Sequence, residues 1–226
     1  MMKKFGLPAL ALMVIAGLGL WAVRSPDAPG QSLLPGLTAQ AQEAPATTAD
    51  LPAVPDMVLG NADAKVTLIE YASYTCPHCA NFHAAVFKDL KRDYIDTGKV
   101  KFVYREVYFD RYGLWAAMMA RCGGETRYFG ISGMLFEGQK EWAASDDPTT
   151  VVNNIRRIGK TAGMEDATLD VCMNDGNMAQ AMVNTWEANA KADAVEGTPT
   201  LILNGVKHSN MDYAELRALI DAELAK

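Results

Sequence analysis

The sequence has little of what a metal or haem site requires. It contains only four cysteines and three histidines. Cys76, Cys79 and His83 offer at most three local zinc ligands, whereas a structural zinc site needs four. There is no second Cys-X-X-Cys and no His-X-X-X-His, and haem attachment would need histidine where Ala80 stands. We therefore expect neither a metal nor a cofactor.

The sequence also lacks a basic surface. Its 21 basic and 27 acidic residues give a net charge of −6, and lysine and arginine are not clustered in any stripe. This argues against nucleic-acid binding. The acidic balance indicates nothing further about partners, because such a balance commonly serves solubility.

The N-terminal segment has the order of an export signal. Lys3 and Lys4 precede an apolar run over residues 5–23. This run is longer than a usual signal core and close to the shortest length that spans a bilayer. We predict that residues 1–23 are either a cleaved signal peptide or a retained N-terminal membrane anchor. Both alternatives carry the rest of the protein out of the cytoplasm.

Residues 24–60 are rich in proline, alanine, glutamine and threonine and show no apolar periodicity. This composition predicts a disordered tether. Residues 61–226 then have the length of one ordinary domain, or of one domain that carries a large insertion.

The first part of this domain predicts a βαβ unit. Residues 66–71 and residues 100–108 are rich in β-branched and apolar side chains and are predicted strands. Between them, large apolar residues recur every four positions, which is helical spacing, and Gly98 closes the segment. Strands joined in this way should be parallel.

Residues 112–192 carry helix signals and no convincing strand. Asp147 followed by Pro148 indicates one helix start, and Asn177 with Gln180 resembles a capping box at another. Residues 200–203 then form a predicted strand, which an Asn-Gly turn connects to a short return strand and a terminal amphipathic helix.

The motif Cys-Pro-His-Cys lies between the first strand and its helix. Pro77 suits the first helical position, so Cys76 is predicted to be the N-cap, facing free N–H groups and the positive end of the helix dipole. His78 adds a donor or a positive charge. These features favour a reactive Cys76 thiolate, with Cys79 as the less exposed resolving cysteine. A purely structural bridge would close a very small loop and stabilise little.

Cys122 and Cys172 lie on apolar faces of predicted helices in the helical block. Neither belongs to a Cys-X-X-Cys motif, and an exported protein meets an oxidising compartment. We predict a structural disulfide between them; two separate buried thiols are the alternative.

Three segments together carry a family resemblance: "LIEYASYTCPHC", the helical block, and "GTPTLILNG". Over residues 61–226 the chain resembles the periplasmic thiol–disulfide oxidoreductases of the DsbA type. The resemblance implies an α/β thioredoxin fold, βαβ followed by ββα, with an all-helical domain inserted at about residues 112–192.

The resemblance also implies roles for three further residues. Pro199 matches the cis-proline beside the motif, and Thr198 would offer backbone hydrogen bonds to a bound polypeptide. Glu70 matches an acidic residue buried under the active site, from which it would relay a proton to Cys79. Thr198 departs from the best-known oxidases, which have valine there, and threonine also occurs among isomerases of the superfamily.

The implied function is an exported oxidase that introduces disulfides into reduced, incompletely folded proteins. By family analogy, a membrane-bound, quinone-linked thiol oxidase would re-oxidise it. The implied location is the periplasm, with tethering to the inner membrane if the N-terminus is retained. A disulfide isomerase or reductase of the same fold, and a non-catalytic polypeptide-binding chaperone, remain the alternatives.

Overall fold

A computed structural model describes residues 50–226, which belong to one compact unit. The signal or anchor predicted at residues 1–23, and residues 24–49 of the predicted tether, lie outside the described residues. None of the helices in the described part of the chain is both long enough and apolar enough to cross a membrane.

The core of the fold is a five-stranded sheet with the order β1-β3-β2-β4-β5. Strands β2 and β3 are parallel, as the βαβ prediction requires, and every other neighbouring pair is antiparallel. The strands are β1 (Met57–Gly60), β2 (Val66–Ala72), β3 (Val100–Glu106), β4 (Thr200–Leu203) and β5 (Val206–Ser209).

Strand β1 corrects one predicted boundary. Met57–Gly60 falls inside the range assigned to the tether, yet it pairs with β3 and buries Met57. The partner of this strand lies more than 40 positions further along the chain, so local composition could not reveal it.

The helix after β2 is continuous but alternates between two helical forms. Its α-helical parts are α1 (Pro77–Phe82) and α2 (Lys88–Leu90), and π-helical turns occupy His83–Phe87 and Lys91–Ile95. The apolar side chains that recur every four positions are all buried, namely Phe82, Val86, Leu90 and Tyr94.

The predicted helical block is confirmed. It consists of α3 (Arg111–Cys122), α4 (Glu125–Glu137), α5 (Gln139–Trp142), α6 (Pro148–Thr161), α7 (Asp166–Met173) and α8 (Gly176–Ala192). Asp147 caps α6 as predicted. The capping box proposed at Asn177 is wrong, because Asp175 caps α8 by accepting a hydrogen bond from the Met178 amide.

The chain then returns to the sheet. Strands β4 and β5 form the predicted hairpin, whose turn residues Asn204 and Gly205 both have positive φ. Helix α9 (Tyr213–Leu224) ends the fold and packs against β2. Because β4 pairs with β2, the loop before β4 lies next to the end of β2.

Candidate active site

The cysteine pair lies at the start of α1, just after β2. Cys76 is the N-cap residue with an extended backbone, and Pro77 follows in the first turn. The carbonyl oxygen of Cys76 accepts the first helical hydrogen bonds, from the amides of Cys79 at 3.1 Å and Ala80 at 3.2 Å. Both cysteines are present as thiols. Cys76 is 9% exposed and Cys79 is fully buried, so Cys76 is the more accessible sulfur.

Pro77 and His78 both face solvent between the two cysteines. Within the described residues the His78 ring makes no hydrogen bond. The position of His78 therefore leaves its ring available to a molecule that approaches Cys76.

The surroundings of Cys79 favour its neutral thiol. Burial raises its pKa most, and the neighbouring carboxyl group of Glu70 raises it further. Cys79 therefore holds its proton at neutral pH in the reduced protein.

Thr198 and Pro199 lie directly beside this pair. The peptide bond between them is cis. The Cys76 thiol lies 3.6 Å from the Thr198 carbonyl oxygen, to which it donates a hydrogen bond. An open groove of about 390 Å³ follows the cis bond and is lined by residues of this loop, of the start of β4 and of β5. Thr198, which contacts Cys76, also lines this groove.

Glu70 lies in the middle of β2 and is fully buried. Its Oε2 atom is 3.0 Å from Nε2 of His83, and its Oε1 atom has no hydrogen-bond partner among the described residues. Sequence reasoning considered His83 only as a zinc ligand and missed this contact. The spacing of four residues from Cys79 indicates that His83 shares a helix face with Cys79, but it does not identify Glu70 as the partner.

Gln139 is a second residue that sequence reasoning missed. It lies in α5 of the helical block and is buried. Its amide nitrogen donates hydrogen bonds to the carbonyl oxygens of Tyr74 at 2.7 Å and Cys76 at 3.0 Å. The inserted domain thus supports the turn that carries the cysteine pair, and no local pattern around Gln139 marks that role.

Cys122 and Cys172 are joined in a disulfide that connects α3 to α7 within the helical block. The described residues contain no cluster of three or more His, Cys, Asp or Glu side chains that could hold a metal ion. The site therefore offers two thiols, a buried acid–imidazole pair and an open groove beside Thr198 and Pro199.

Comparison with known proteins assigns the family. The model of a family described as Thioredoxin matches residues 53–222. The chain belongs to the thioredoxin family. The structure also aligns with that of Wolbachia pipientis alpha-DsbA1, with a TM-score of 0.71 and 28% identity over 78% of this chain and 94% of that one.

Two curated relatives of this family member carry related names. A "Putative protein-disulfide oxidoreductase" of Rickettsia bellii is 34% identical over 74% of this chain and 63% of its own length. "Disulfide bond formation protein D" of Bacillus subtilis is 27% identical over 74% of this chain and 76% of its own length. The chain thus spans less than two thirds of the Rickettsia relative. Together, these matches confirm the predicted thioredoxin fold and the resemblance to the DsbA type.

Proposed function

We propose that this protein is a thiol–disulfide oxidoreductase that acts as an oxidase through Cys76 and Cys79. The observation that carries the proposal is the arrangement of the pair. The accessible sulfur lies at a helix start beside the Thr198 carbonyl, and the second sulfur is buried behind it in a setting that favours its thiol. The names of the relatives, which refer to disulfide oxidoreduction and disulfide formation, support the same chemistry.

The proposed reaction has two exchange steps. A substrate thiolate attacks Sγ of Cys76, the Cys76–Cys79 bond breaks, and Cys79 leaves as a thiolate that takes up a proton. A second substrate thiolate then attacks the substrate sulfur of the mixed disulfide, and Cys76 leaves as a thiolate. The substrate gains one disulfide, and the enzyme becomes a dithiol.

The other residues of the site have supporting roles in this proposal. The helix start at Pro77 stabilises the departing Cys76 thiolate, and His78 contributes a hydrogen-bond donor or a positive charge. Thr198 and Pro199 hold the substrate backbone in the groove beside Cys76. Glu70 relays the proton that Cys79 takes up.

The proposed partners and location follow the family. The substrates are reduced, partly folded exported proteins, and a membrane quinone-linked thiol oxidase restores the disulfide. Residues 1–23 direct export to the periplasm, as a cleaved signal or as an anchor in the inner membrane, and the residues after the tether form the catalytic domain.

Oxidation of a reduced, unfolded ribonuclease tests the function. We expect the oxidised protein to restore ribonuclease activity, and Cys76→Ser and Cys79→Ser, neither of which can form the Cys76–Cys79 disulfide, to be inactive. Activity of Cys76→Ser equal to that of the wild type would instead favour a non-catalytic chaperone.

Equilibration with glutathione tests the direction. An oxidase pair should have a potential well above the roughly −270 mV of thioredoxin. A value near that of thioredoxin would overturn the oxidase assignment in favour of a reductase.

A further inference from the structure

The carboxyl group of Glu70 is fully buried and has few partners for a negative charge. A carboxylate without exposure to solvent needs a cation or several hydrogen bonds, or else it must bind a proton. In the described part of the chain, His83 is the only side chain that hydrogen-bonds to Glu70, and the second carboxylate oxygen has no partner. The pair therefore has to share a proton between the carboxyl group and the imidazole.

Other titratable groups near Glu70 cannot supply that proton at neutral pH. Tyr104 on β3 is paired with Glu70 in register and is buried, and burial raises its pKa well above the usual value. The thiol of Cys79 on α1 also has a raised pKa. From β4, the residue in register is the apolar Leu201.

His83 connects this buried carboxyl group to an open groove. The groove has a volume of about 520 Å³ and lies between the helix of the cysteine pair and helices α4 and α5. The His83 ring stacks on Phe136 of α4, with 4.0 Å between ring centroids, and contacts Phe87 on its own helix. The charged groups that line the groove are Lys88, Lys91, Glu137 and Lys140.

The backbone of this helix changes form at His83. The first of its two π-helical turns begins at His83, and the second occupies Lys91–Ile95. Such single turns are rare and frequently occur at functional sites. Nε2 of the ring meets Glu70, while Nδ1 has no hydrogen-bond partner within residues 50–226. The His83 ring therefore has one nitrogen hydrogen-bonded to the buried carboxyl group and a second nitrogen that is free to exchange a proton.

We propose that His83 is a positioning residue that carries protons between the solvent of this groove and Glu70, and through Glu70 to Cys79. The proposal rests on the proposed function, because it names the proton path for the same cysteine pair. Imidazole suits this role because it can accept a proton on one nitrogen while it donates one from the other.

The proton transfers along this path balance in both directions. When Cys79 leaves as a thiolate, it takes the proton of the Glu70 carboxylic acid. Glu70 takes the Nε2 proton of His83, and Nδ1 of His83 takes one from water in the groove. One proton thus moves from solvent to Cys79 during reduction of the pair, and one returns during re-oxidation.

Exchange between the oxidised protein and dithiothreitol tests the path, because this reaction needs no polypeptide substrate. His83→Gln keeps a hydrogen-bond donor of similar reach but cannot transfer a proton between two ring nitrogens. After correction for the thiolate fraction of dithiothreitol at each pH, we expect its exchange rate to fall by roughly 10- to 100-fold and to lose the remaining pH dependence that the wild type shows around neutrality. Lys140→Gln, which changes the groove lining without touching Glu70, should behave as the wild type does.

Chemical rescue separates proton transfer from a packing role. His83→Ala leaves a space that opens to the groove, and added imidazole should restore at least part of the exchange rate there but not in His83→Gln. A wild-type rate and pH profile in His83→Gln would overturn the proposal. The proposal would also be overturned if His83→Gln were slow with an unchanged pH profile and imidazole did not rescue His83→Ala. His83 would then serve only to pack against Phe136.

Thermal unfolding of each variant verifies that it folds, and His83→Gln remains informative if His83→Ala does not. The outcome is also separable from that of the proposed function. A wild type that exchanges with dithiothreitol but fails to oxidise ribonuclease would contradict the oxidase assignment and still allow the His83 comparison.

Discussion

At the scale of single residues, the two cysteines of the motif differ in what surrounds them. Cys76 contacts the Thr198 carbonyl at the edge of a groove, whereas Cys79 is fully buried, and burial and the neighbouring Glu70 raise its pKa. A proton on Cys79 is therefore held more tightly in the folded protein than in the unfolded chain. This difference links the stability of the reduced protein to pH.

The sign of this link gives a prediction for Cys76→Ser, in which Cys79 is the only free thiol of the pair. A raised pKa in the folded state means that the stabilising contribution is complete below the unfolded thiol value of about 8.5 and is lost as the pH rises above it. We expect the free energy of unfolding, relative to the Cys76→Ser/Cys79→Ser control, to fall by up to about 1.4 kcal/mol per pH unit there. Urea unfolding across this range measures it, and a constant difference would contradict the pKa argument.

At the scale of secondary-structure elements, a disulfide and a buried ion pair organise the helical block. Cys122 at the end of α3 is bonded to Cys172 of α7. The neighbouring Arg121 forms an ion pair with Glu106 at the end of β3, at 2.6 Å, with both side chains largely buried. The end of α3 is thus attached to the sheet on one side and to the rest of the insertion on the other.

Replacing both cysteines, Cys122→Ala/Cys172→Ala, should destabilise the protein without stopping thiol exchange. The bridge spans a sequence separation of 50 residues. In the chain-entropy model, a loop of this size corresponds to roughly 4 kcal/mol. Urea unfolding measures the loss, and exchange with dithiothreitol checks that Cys76 still reacts. Loss of exchange in a variant that remains folded would indicate a redox role for the second bridge.

The elements that sequence reasoning predicted are those with strong local periodicity. The parallel strands, the helix with Phe82 and Leu90 on one face, and the β4–β5 hairpin all follow from patterns within a few residues. Strand β1 and the supporting hydrogen bonds of Gln139 were missed because their partners are far away in sequence. The contact of His83 with Glu70 joins a helix to a strand, and helical spacing alone could not show that an acid lies opposite the ring.

At the scale of the whole molecule, the sheet order brings three distant segments to one site. The pairing of β2 with β4 places the Thr198–Pro199 bond beside Cys76, and the insertion reaches the same turn through Gln139. The turn that carries the cysteine pair therefore contacts both the sheet and the helical block. A change from dithiol to disulfide should consequently alter the stability of the whole fold.

The direction of that change follows from a thermodynamic cycle. Suppose that the pair is more oxidising in the folded protein than in the unfolded chain. The free energy of unfolding of the reduced protein must then exceed that of the oxidised protein by the same amount. Every 30 mV of difference corresponds to about 1.4 kcal/mol for this two-electron couple. This reverses the usual effect of a disulfide, which stabilises by restricting the unfolded chain.

We therefore expect the reduced protein to melt above the oxidised one, by about 2–4 °C for each kcal/mol in a domain of this size. Mild reduction should open only the Cys76–Cys79 bond, and counting two thiols after denaturation verifies that the Cys122–Cys172 bridge is intact. A Cys76→Ser/Cys79→Ser variant serves as the control, since its melting temperature should not respond to the reductant. If the oxidised wild type melted higher, the fold would favour the disulfide, and electrons would flow from this pair to its substrates as in a reductase.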